Sequence, residues 1–409
     1  MGGRRVRPWT SFPPAVHEAE RTETGHDPLR GVDLEGFYTA LKALRAEIEA
    51  SLGPEDFRHL RKVEGWGRMA TGVGLATAWM APNPLSMVAL GLGRSSRWMV
   101  MHHVGHRGYD KVPGVPPAYT SKGFARGWRR FVDWPDWMPP AAWIYEHNIL
   151  HHQNTGEERD PDLVERNAEW VRHPWVPRPV RWAIFAALAL TWKASYYAPA
   201  TLEAWLTRHE PRTDRPRMGF FPLYAQVLVR GYLPYAALQF VALPALYLPL
   251  GPWAVLSAFC NSLGAELVTN LHTFLVVGPN HAGDDVYRFD DRPRSKGEFY
   301  ARQVIGSVNY PTGGDLPDWL HMWLNYQIEH HLFPDIPMSQ VARIQPRVKA
   351  LCARFGLPYI QEPVWTRFRR LAEVVVGDRS MRRAPRHNAR PGGETSAAGE
   401  YRGAPVTAP

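Results

Sequence analysis

The stretch GYLPYAALQFVALPALYLPLGPWAVLSAFCNSLGA, residues 231–265, decides the fold because it contains no charged side chain. It fills the whole interval between Arg230 and Glu266. A membrane-spanning helix needs roughly 20 mostly apolar residues, so the stretch predicts two spans joined by a turn at residues 249–252. The second helix is expected to continue toward Val277. A buried helical hairpin in a soluble protein is the alternative.

Toward the N-terminus, a second uncharged run covers residues 69–93 and is broken by the prolines of the segment 81–84. This run is long for one helix and short for two. We expect another hairpin, whose second helix extends past Arg94 and Arg97 to deliver His102. Together the two hairpins predict about four transmembrane helices.

Residues 182–198 are also apolar, but Lys193 lies among them and Pro199 follows. We interpret this segment as a helix in the membrane interface that does not cross the bilayer. Topology favours that interpretation. The histidine groups described below can share one site only if an even number of spans separates them, and the 231–277 hairpin supplies two.

Two further helical patterns flank this region. Apolar residues recur at Leu34 and beyond, with Asp33 as a helix cap, and predict an amphipathic helix on the soluble face or on the membrane; these residues are Phe37, Leu41, Leu44 and Ile48. Near the end, a similar pattern predicts a short helix pair interrupted at Pro346; its apolar residues are Val341, Ile344, Val348 and Leu351.

The two ends of the chain are polar. Residues 1–30 are rich in Pro, Arg and Glu, and from about Gly377 the composition favours disorder. We therefore expect a polar segment with the amphipathic helix at 1–60, a membrane domain at 61–365, and a basic, disordered tail at 366–409.

The chain has a formal net charge of +9 over 409 residues. Its basic residues cluster beside the predicted spans, which marks a cytoplasmic face and suits anionic lipid headgroups or an acidic redox partner. Nucleic acid is the poorer interpretation, since no recognised binding motif accompanies the charge. The clustered residues are Lys122, Arg126, Arg129, Arg130, Arg208, Arg212, Arg215, Arg217, Arg288, Arg292 and Arg294.

Only two cysteines are present, Cys260 and Cys352. This number excludes a disulfide framework and a four-thiolate zinc or iron–sulfur site. The N-terminus is basic, but no apolar signal core follows it, so membrane insertion is expected to depend on the internal spans.

Most of the 17 histidines fall into four groups, each close to the end of an apolar segment. Imidazole is a common ligand of transition metals, and this many ionisable rings near a bilayer would otherwise leave many polar nitrogens without partners. The spacing therefore indicates a metal centre at a membrane face. The groups are His102, His103 and His106; His147, His151 and His152; His272 and His281; and His330 and His331.

The spacing within the groups favours two ions over one. His102 and His106 are four residues apart, which on a helix places both rings on one face, and His147 and His151 repeat this spacing. His152 points aside from His151 and can reach a second ion. Adjacent histidines suit a site that is shared between two metals. Spacing alone leaves iron and zinc both open.

Three segments resemble the histidine boxes of membrane fatty acid desaturases: HHVGH at 102–106, EHNILHH at 146–152 and QIEHHLFP at 327–334. Asp318-Trp319-Leu320, Pro337 and Asp160-Pro161-Asp162 add similarity to the front-end acyl-lipid branch, whose third box begins with Gln. The resemblance covers roughly residues 65–360. It implies an all-α, multi-pass membrane fold with a cytosolic helical cap that holds a di-metal site.

The resemblance also implies a ligand set for two iron ions, with no catalytic side chain beyond the metal centre. The family usually supplies one more histidine after the fourth span, for which His281 is our choice and His272 the competitor. Other residues near the boxes could bind or orient ligands: His103, Gln327, Asp160, Asp162 and Asn154. The implied ligands are His102, His106, His147, His151, His152, His281, His330 and His331.

The implied reaction is oxygen-dependent introduction of a cis double bond into a fatty acyl chain, with O2 as co-substrate. The chain lacks the His-Pro-Gly-Gly signature of the haem domain often fused to front-end enzymes, so a separate ferredoxin or small haem protein is expected to supply electrons. A hydroxylase or related lipid oxygenase on the same site is the nearest alternative. A non-redox metal sensor or transporter is the alternative from another class. Chain length, bond position and acyl carrier stay open.

Overall fold

The computed structural model describes residues 27–209 and 218–385, and most of this chain is helical. The prediction of a mainly helical fold is confirmed. Two short strands, β1 (Tyr287–Arg288) and β2 (Arg382–Arg383), pair in parallel. Residues 1–26 of the predicted N-terminal lead-in, the end of the predicted tail and Arg212, Arg215 and Arg217 lie outside the described residues.

Helix α1 (Leu34–Ser51) is the amphipathic helix that the apolar pattern predicts. The Asp33 side chain caps it by accepting a hydrogen bond from the Gly36 amide. Phe37 is fully buried, and its ring lies 5.7 Å from that of Phe355. The apolar face of α1 therefore packs on the C-terminal part of the chain. Spacing alone could not tell whether this helix packs on the soluble face or lies on the membrane.

Helices α2 (Pro54–Thr77) and α3 (Pro84–Gly105) form the predicted N-terminal hairpin. Asn83 caps α3, because its side chain accepts a hydrogen bond from the Ser86 amide. Gly67 permits close helix contact, since a Cβ atom there would lie 2.1 Å from the Ser96 hydroxyl oxygen. As expected, α3 passes Arg94 and Arg97 and ends at the first histidines.

A segment of short helices follows: α4 (Arg130–Asp133), α5 (Pro140–Ile144), α6 (His152–Asn154), α7 (Val164–Asn167) and α8 (Glu169–Arg172). Between α5 and α6 the chain makes a π-helical turn over Tyr145–His151. A π-helical turn bonds residue i to i+5 instead of i+4, so it changes which side chains share a face. This turn carries two histidines of the second box.

Helix α9 (Arg178–Trp192) covers the apolar segment that we place in the interface, and it continues through a π-helical turn into α10 (Ala198–Leu206). Lys193 does not interrupt the helix. Its side chain is 1% exposed and forms an ion pair with Asp136. The Trp192 indole donates to the Asn270 carbonyl at 3.0 Å, so α9 packs on the second hairpin.

The second hairpin has its turn where the sequence predicts it. Its first arm runs through α11 (Phe220–Val227), α12 (Leu233–Ala236) and α13 (Leu243–Ala245) to Leu250, and its second arm is α14 (Pro252–Val277). Gly251 joins the arms with φ +96°, a left-handed conformation that glycine adopts readily.

By length and composition, one helical stretch of the described chain is apolar enough to cross a membrane: residues 220–250, with mean hydropathy 1.4. Helix α14 carries buried polar residues along its length, among them Asn261, Glu266 and Asn270. The arrangement of four transmembrane helices therefore stays a prediction.

The C-terminal part forms α15 (Lys296–Ile305), α16 (Asp315–Leu320), α17 (Gln327–Leu332), α18 (Met338–Phe355) and α19 (Val364–Val376). Two expectations are wrong here. Pro346 lies inside the continuous helix α18, because the buried face around Val341 and Val348 keeps the helix on the core. A disordered tail cannot begin at 366, since α19 runs to Val376 and buries Leu371 and Val374.

Candidate metal centre

Four separate segments bring the clustered histidines together. His102 and His106 come from the end of α3, and His147, His151 and His152 come from the π-helical turn and the residue after it. His281 follows α14 in a short turn, and α17 carries the last pair, His330 and His331.

The first group consists of His102, His106, His147 and His330. One potential ligand atom from each lies within 4.8 Å of the others, and all four residues are buried. The Nε2 atoms of His102 and His330 are 2.9 Å apart. Since the four residues come from three segments, only the tertiary fold creates this group.

The second group consists of His151, His281 and His331, whose potential ligand atoms also lie within 4.8 Å of one another. The Nε2 atoms of His331 and His281 are 3.1 Å apart. His152 lies between the groups: its Nε2 is 3.3 Å from that of His147, and its ring stacks on His331 at 4.3 Å. The π-helical turn explains this position, because it brings His147 and His152, five residues apart, together.

Acidic and amide side chains contact ring nitrogens of the second group. His151 Nδ1 donates to Asp160 Oδ1 at 2.9 Å, which leaves the other ring nitrogen, Nε2, available to a metal ion. Asp162 lies farther, at 3.9 Å from the same Nδ1, and forms a third potential group with His147 and His151. Gln327 Nε2 donates to His281 Nε2 at 2.7 Å.

Three of the residues considered above do not face either group. His103 Nε2 donates to the Met322 carbonyl at 3.3 Å, and His272 Nε2 donates to the Leu320 carbonyl at 2.6 Å. Asn154 caps its own helical turn by donating to the Leu150 carbonyl at 2.6 Å. Of the two competitors after the last predicted span, His281 is therefore the one whose ring joins the cluster.

The electrostatics favour neutral imidazole, which is the form that binds metals. Burial, together with the positive charge that neighbouring rings would carry, holds the pKa of His106, His147 and His152 well below its ordinary value. Burial likewise lowers the pKa of His281 to about 3. His151 differs: burial alone would lower its pKa, but the carboxylates of Asp160 and Asp162 together outweigh burial and raise it.

The donor set fits a metal ion. Nε2 atoms of different histidines face one another, at 2.9 Å between His102 and His330 and at 3.1 Å between His331 and His281, and the buried Nε2 of His106 has no hydrogen-bond partner among the described residues. A metal ion bound among these nitrogens would satisfy them, whereas a buried polar atom left without a partner costs free energy. Imidazole nitrogens suit iron, zinc, copper and nickel.

The sequence alone did not predict three side chains that contact the histidine rings, two beside His331 and one beside His147. His331 Nδ1 lies 2.8 Å from Gln303 Oε1 and 3.2 Å from Thr155 Oγ1. The Trp143 ring stacks on His147 at 4.7 Å. Thr155 and Trp143 stand close to the second box in sequence, which was a usable signal, whereas nothing near Gln303 indicates its role.

A family model described as fatty acid desaturase matches residues 77–363. The chain belongs to the fatty acid desaturase family. The resemblance that the histidine boxes suggest is thereby confirmed, and the protein is an enzyme of the membrane desaturase type.

This desaturase is similar to several characterised relatives. The NADPH-dependent stearoyl-CoA 9-desaturase of Mycobacterium tuberculosis is 25% identical over 378 residues, which cover 87% of this chain and 83% of the relative. The acyl-lipid (7-3)-desaturase of Rebecca salina is 29% identical over 269 residues, covering 62% and 56%. The Delta(5) fatty acid desaturase of Caenorhabditis elegans is 27% identical over 256 residues, covering 58% and 54%.

An apolar cavity of about 370 Å³ reaches the histidines of this desaturase. His102, His147, His151 and His281 contribute to its wall, and most of the remaining lining is apolar. The helices α8, α9, α14 and α19 supply much of that lining. A cavity of this kind suits a long hydrocarbon chain and keeps water away from it.

Proposed function

We propose that this desaturase introduces a cis double bond into a fatty acyl chain in an oxygen-dependent reaction at two iron ions. The observation that carries the proposal is the pair of adjoining histidine groups in the wall of an apolar cavity. Family membership supports the reaction class. The residues that would hold the ions are His102, His106, His147, His151, His152, His281, His330 and His331.

Two bound ferrous ions would supply what no side chain here can, the reduction of O2 by external electrons and the removal of hydrogen from an unactivated carbon. The side chains hold the ligand rings in place. Asp160 keeps the proton of His151 on Nδ1, and Gln303 accepts from Nδ1 of His331. Trp143 packs against the ring of His147 and limits its rotation.

We further propose that the two hairpins make four membrane spans and that the histidines lie on the cytoplasmic side, in a cap formed by the segments outside the hairpins. The limit predicted at residue 61 falls inside α2, and α1 packs on the C-terminal part of the chain, so we propose that the desaturase domain begins with α1 and ends after α19. A separate ferredoxin or small haem protein would deliver electrons; the NADPH-dependent relative supports an external donor.

The test is product analysis after expression in a host that supplies iron and electrons. Mass spectrometry of total fatty acids should find acyl chains with one additional double bond, and the purified protein should contain about two iron atoms per chain. Hydroxylated chains without a new double bond would replace the desaturase proposal with a hydroxylase. One zinc and no iron would favour the non-redox alternative.

A further inference from the structure

Residues 126–132, which we call the arginine segment, expose three large apolar side chains within five positions of the chain. Trp128 is 73% exposed, Val132 53% and Phe131 46%. The segment lies between the first two histidine boxes, and it makes a 3-10 turn over Gly127–Arg129 before it enters α4. Exposed apolar side chains this close together mark a surface that contacts a membrane or another protein.

Three arginines in or beside this segment form no ion pair with a carboxylate in the described part of the chain. Arg126 donates to the Ser121 carbonyl at 3.1 Å. Arg130 donates to the Arg230 carbonyl at 2.7 Å, and Arg230 donates to the Gln226 side chain at 2.8 Å. Neutral oxygens do not balance a positive charge. The three guanidinium groups are therefore open to an anion from outside this part of the protein.

The arginine segment lies at one edge of the helical stretch that is apolar enough to cross a membrane. Residues 231–250 of that stretch carry no charge, and at 1.5 Å per residue they cover about 30 Å, the thickness of a hydrocarbon core. Arg230, whose carbonyl binds Arg130, immediately precedes them. Gly231 approaches the chain beyond α4 so closely that a Cβ atom there would lie 2.3 Å from the Trp137 carbonyl oxygen. Both contacts hold the arginine segment at the level of the lipid headgroups.

The surroundings of Arg230 favour lipid over a soluble protein. Val229 and Leu233 lie on either side of it along the helix, and they are 64% and 55% exposed. The apolar surface of the span therefore reaches the arginine segment, so a soluble partner would have to displace lipid to cover both. Arginine binds phosphate through two parallel hydrogen bonds, and tryptophan is enriched where headgroups meet acyl chains. An anionic phospholipid supplies the phosphate and the acyl chain together.

We propose that the arginine segment anchors the protein to anionic phospholipids of the cytoplasmic leaflet. Its three exposed apolar side chains contact the acyl chains, and Arg126, Arg130 and Arg230 bind the headgroup phosphates. The inference rests on the membrane spans of the proposed function. The anchor fixes the chain between the first two histidine boxes to the bilayer surface.

Lipid binding by the full-length protein tests the charged part of the proposal. The protein in a neutral detergent is titrated with phosphatidylglycerol or phosphatidylcholine of the same acyl chains, and native mass spectrometry counts the bound lipids. Phosphatidylglycerol should bind more tightly. Arg126→Gln combined with Arg230→Gln should weaken phosphatidylglycerol binding roughly 25-fold, about fivefold for each arginine, and leave phosphatidylcholine binding unchanged. Arg130 is kept because it tethers the segment.

A matched double variant removes two charges elsewhere. Arg343→Gln combined with Arg354→Gln, both exposed on α18, should bind phosphatidylglycerol like the unaltered protein. Equal loss of binding in the two double variants, or no loss in either, would overturn the proposal. Glycerol 3-phosphate offers the phosphate without acyl chains and should not displace the lipid at equal concentration. Displacement would show that a free phosphate suffices and would also overturn the proposal.

A fluorescent dye measures the depth of the exposed side chains. With Cys260 and Cys352 replaced by serine, the dye is attached to Trp128→Cys, to Val241→Cys in the exposed middle of the span, or to Arg354→Cys. In vesicles, phospholipids with a nitroxide on the acyl chain should quench the dye at the first two positions and not at the third. Quenching at position 241 without quenching at 128 would reject the anchor alone. Absence of quenching at 241 would reject the proposed span.

An acidic electron donor is the rival occupant of the arginine segment. Added acidic ferredoxin should reduce the iron of the unaltered protein and of the Arg126→Gln, Arg230→Gln double variant at the same rate. Slower reduction of the variant together with unchanged phosphatidylglycerol binding would show a donor site and overturn the proposal. A hydroxylated product would reject the proposed desaturation and leave the lipid anchor standing.

Discussion

At the scale of single residues, neighbours in the sequence have opposite roles in the structure. His102 faces the first histidine group, with its Nε2 2.9 Å from His330, whereas the adjacent His103 points to the Met322 carbonyl. The same contrast separates His281, in the second group, from His272 on a main-chain carbonyl. Ring orientation therefore decides which histidines can serve as ligands.

This contrast predicts different metal contents for two adjacent substitutions. His102→Ala should leave only three imidazoles in the first group and should therefore lower the amount of iron bound per chain. Formation of the product should be lost with the iron. His103→Gln should keep the metal content, since the ring makes only a main-chain hydrogen bond there. Elemental analysis of the purified variants measures both. Equal loss of iron from the two variants would contradict the assignment.

A second residue-scale prediction concerns Asp160. Asp160→Asn should lower metal affinity or activity roughly 10–100-fold, since an amide no longer fixes the proton on Nδ1 of His151 as a carboxylate does. Asp162→Asn, 3.9 Å from the same nitrogen, should have a smaller effect. Iron titration of both variants measures the difference. A larger effect at Asp162 would show that the wrong carboxylate has been assigned.

At the scale of elements, local apolar periodicity predicts most helices correctly and fails where packing overrides a local signal. Proline is costly inside a helix, yet α18 continues through Pro346, whose side chain is exposed. The buried residues of α18 outweigh this cost. The π-helical turn at Tyr145–His151 is a second example, because it depends on contacts of the histidines with other segments.

The exposed proline in α18 provides a stability test. Pro346→Ala should raise the midpoint of thermal unfolding, because alanine restores an amide that can donate to the Ala342 carbonyl and is preferred to proline by up to about 3 kcal/mol. Ala350→Pro, on the same helix, should lower it. Thermal unfolding of the purified variants is the measurement. No gain from Pro346→Ala would mean that the helix is adapted to the proline.

At the scale of the whole molecule, buried charges tie the hairpins together. Arg94 of α3 donates to the Glu266 carboxylate of α14 at 3.1 Å and to the Gln239 side chain at 2.9 Å. The two hairpin turns also meet, because the Asn83 amide donates to Asn261 Oδ1 at 2.8 Å and the Trp253 indole donates to the Met80 carbonyl at 2.9 Å. The turns thus lie at one end of the bundle and the histidines at the other.

This arrangement makes the proposed topology testable. In a background in which Cys260 and Cys352 are replaced by serine, Met80→Cys and Leu250→Cys should react with a membrane-impermeant maleimide from outside the cell. Trp128→Cys, between the first two boxes, should react only after the membrane is opened. All three positions are exposed. Labelling of all three from the same side would overturn the topology of four spans.

Local patterns in the sequence determined the hairpins, their turns, the amphipathic helix α1 and the shared face of His102 and His106. These features depend on residues close together in the chain, so spacing and charge reveal them. Tertiary structure alone decided that His281 joins His151 and His331, that Gln303 contacts His331, and that α18 continues through Pro346. These outcomes depend on contacts between distant segments, where burial and competing hydrogen-bond partners outweigh local preference.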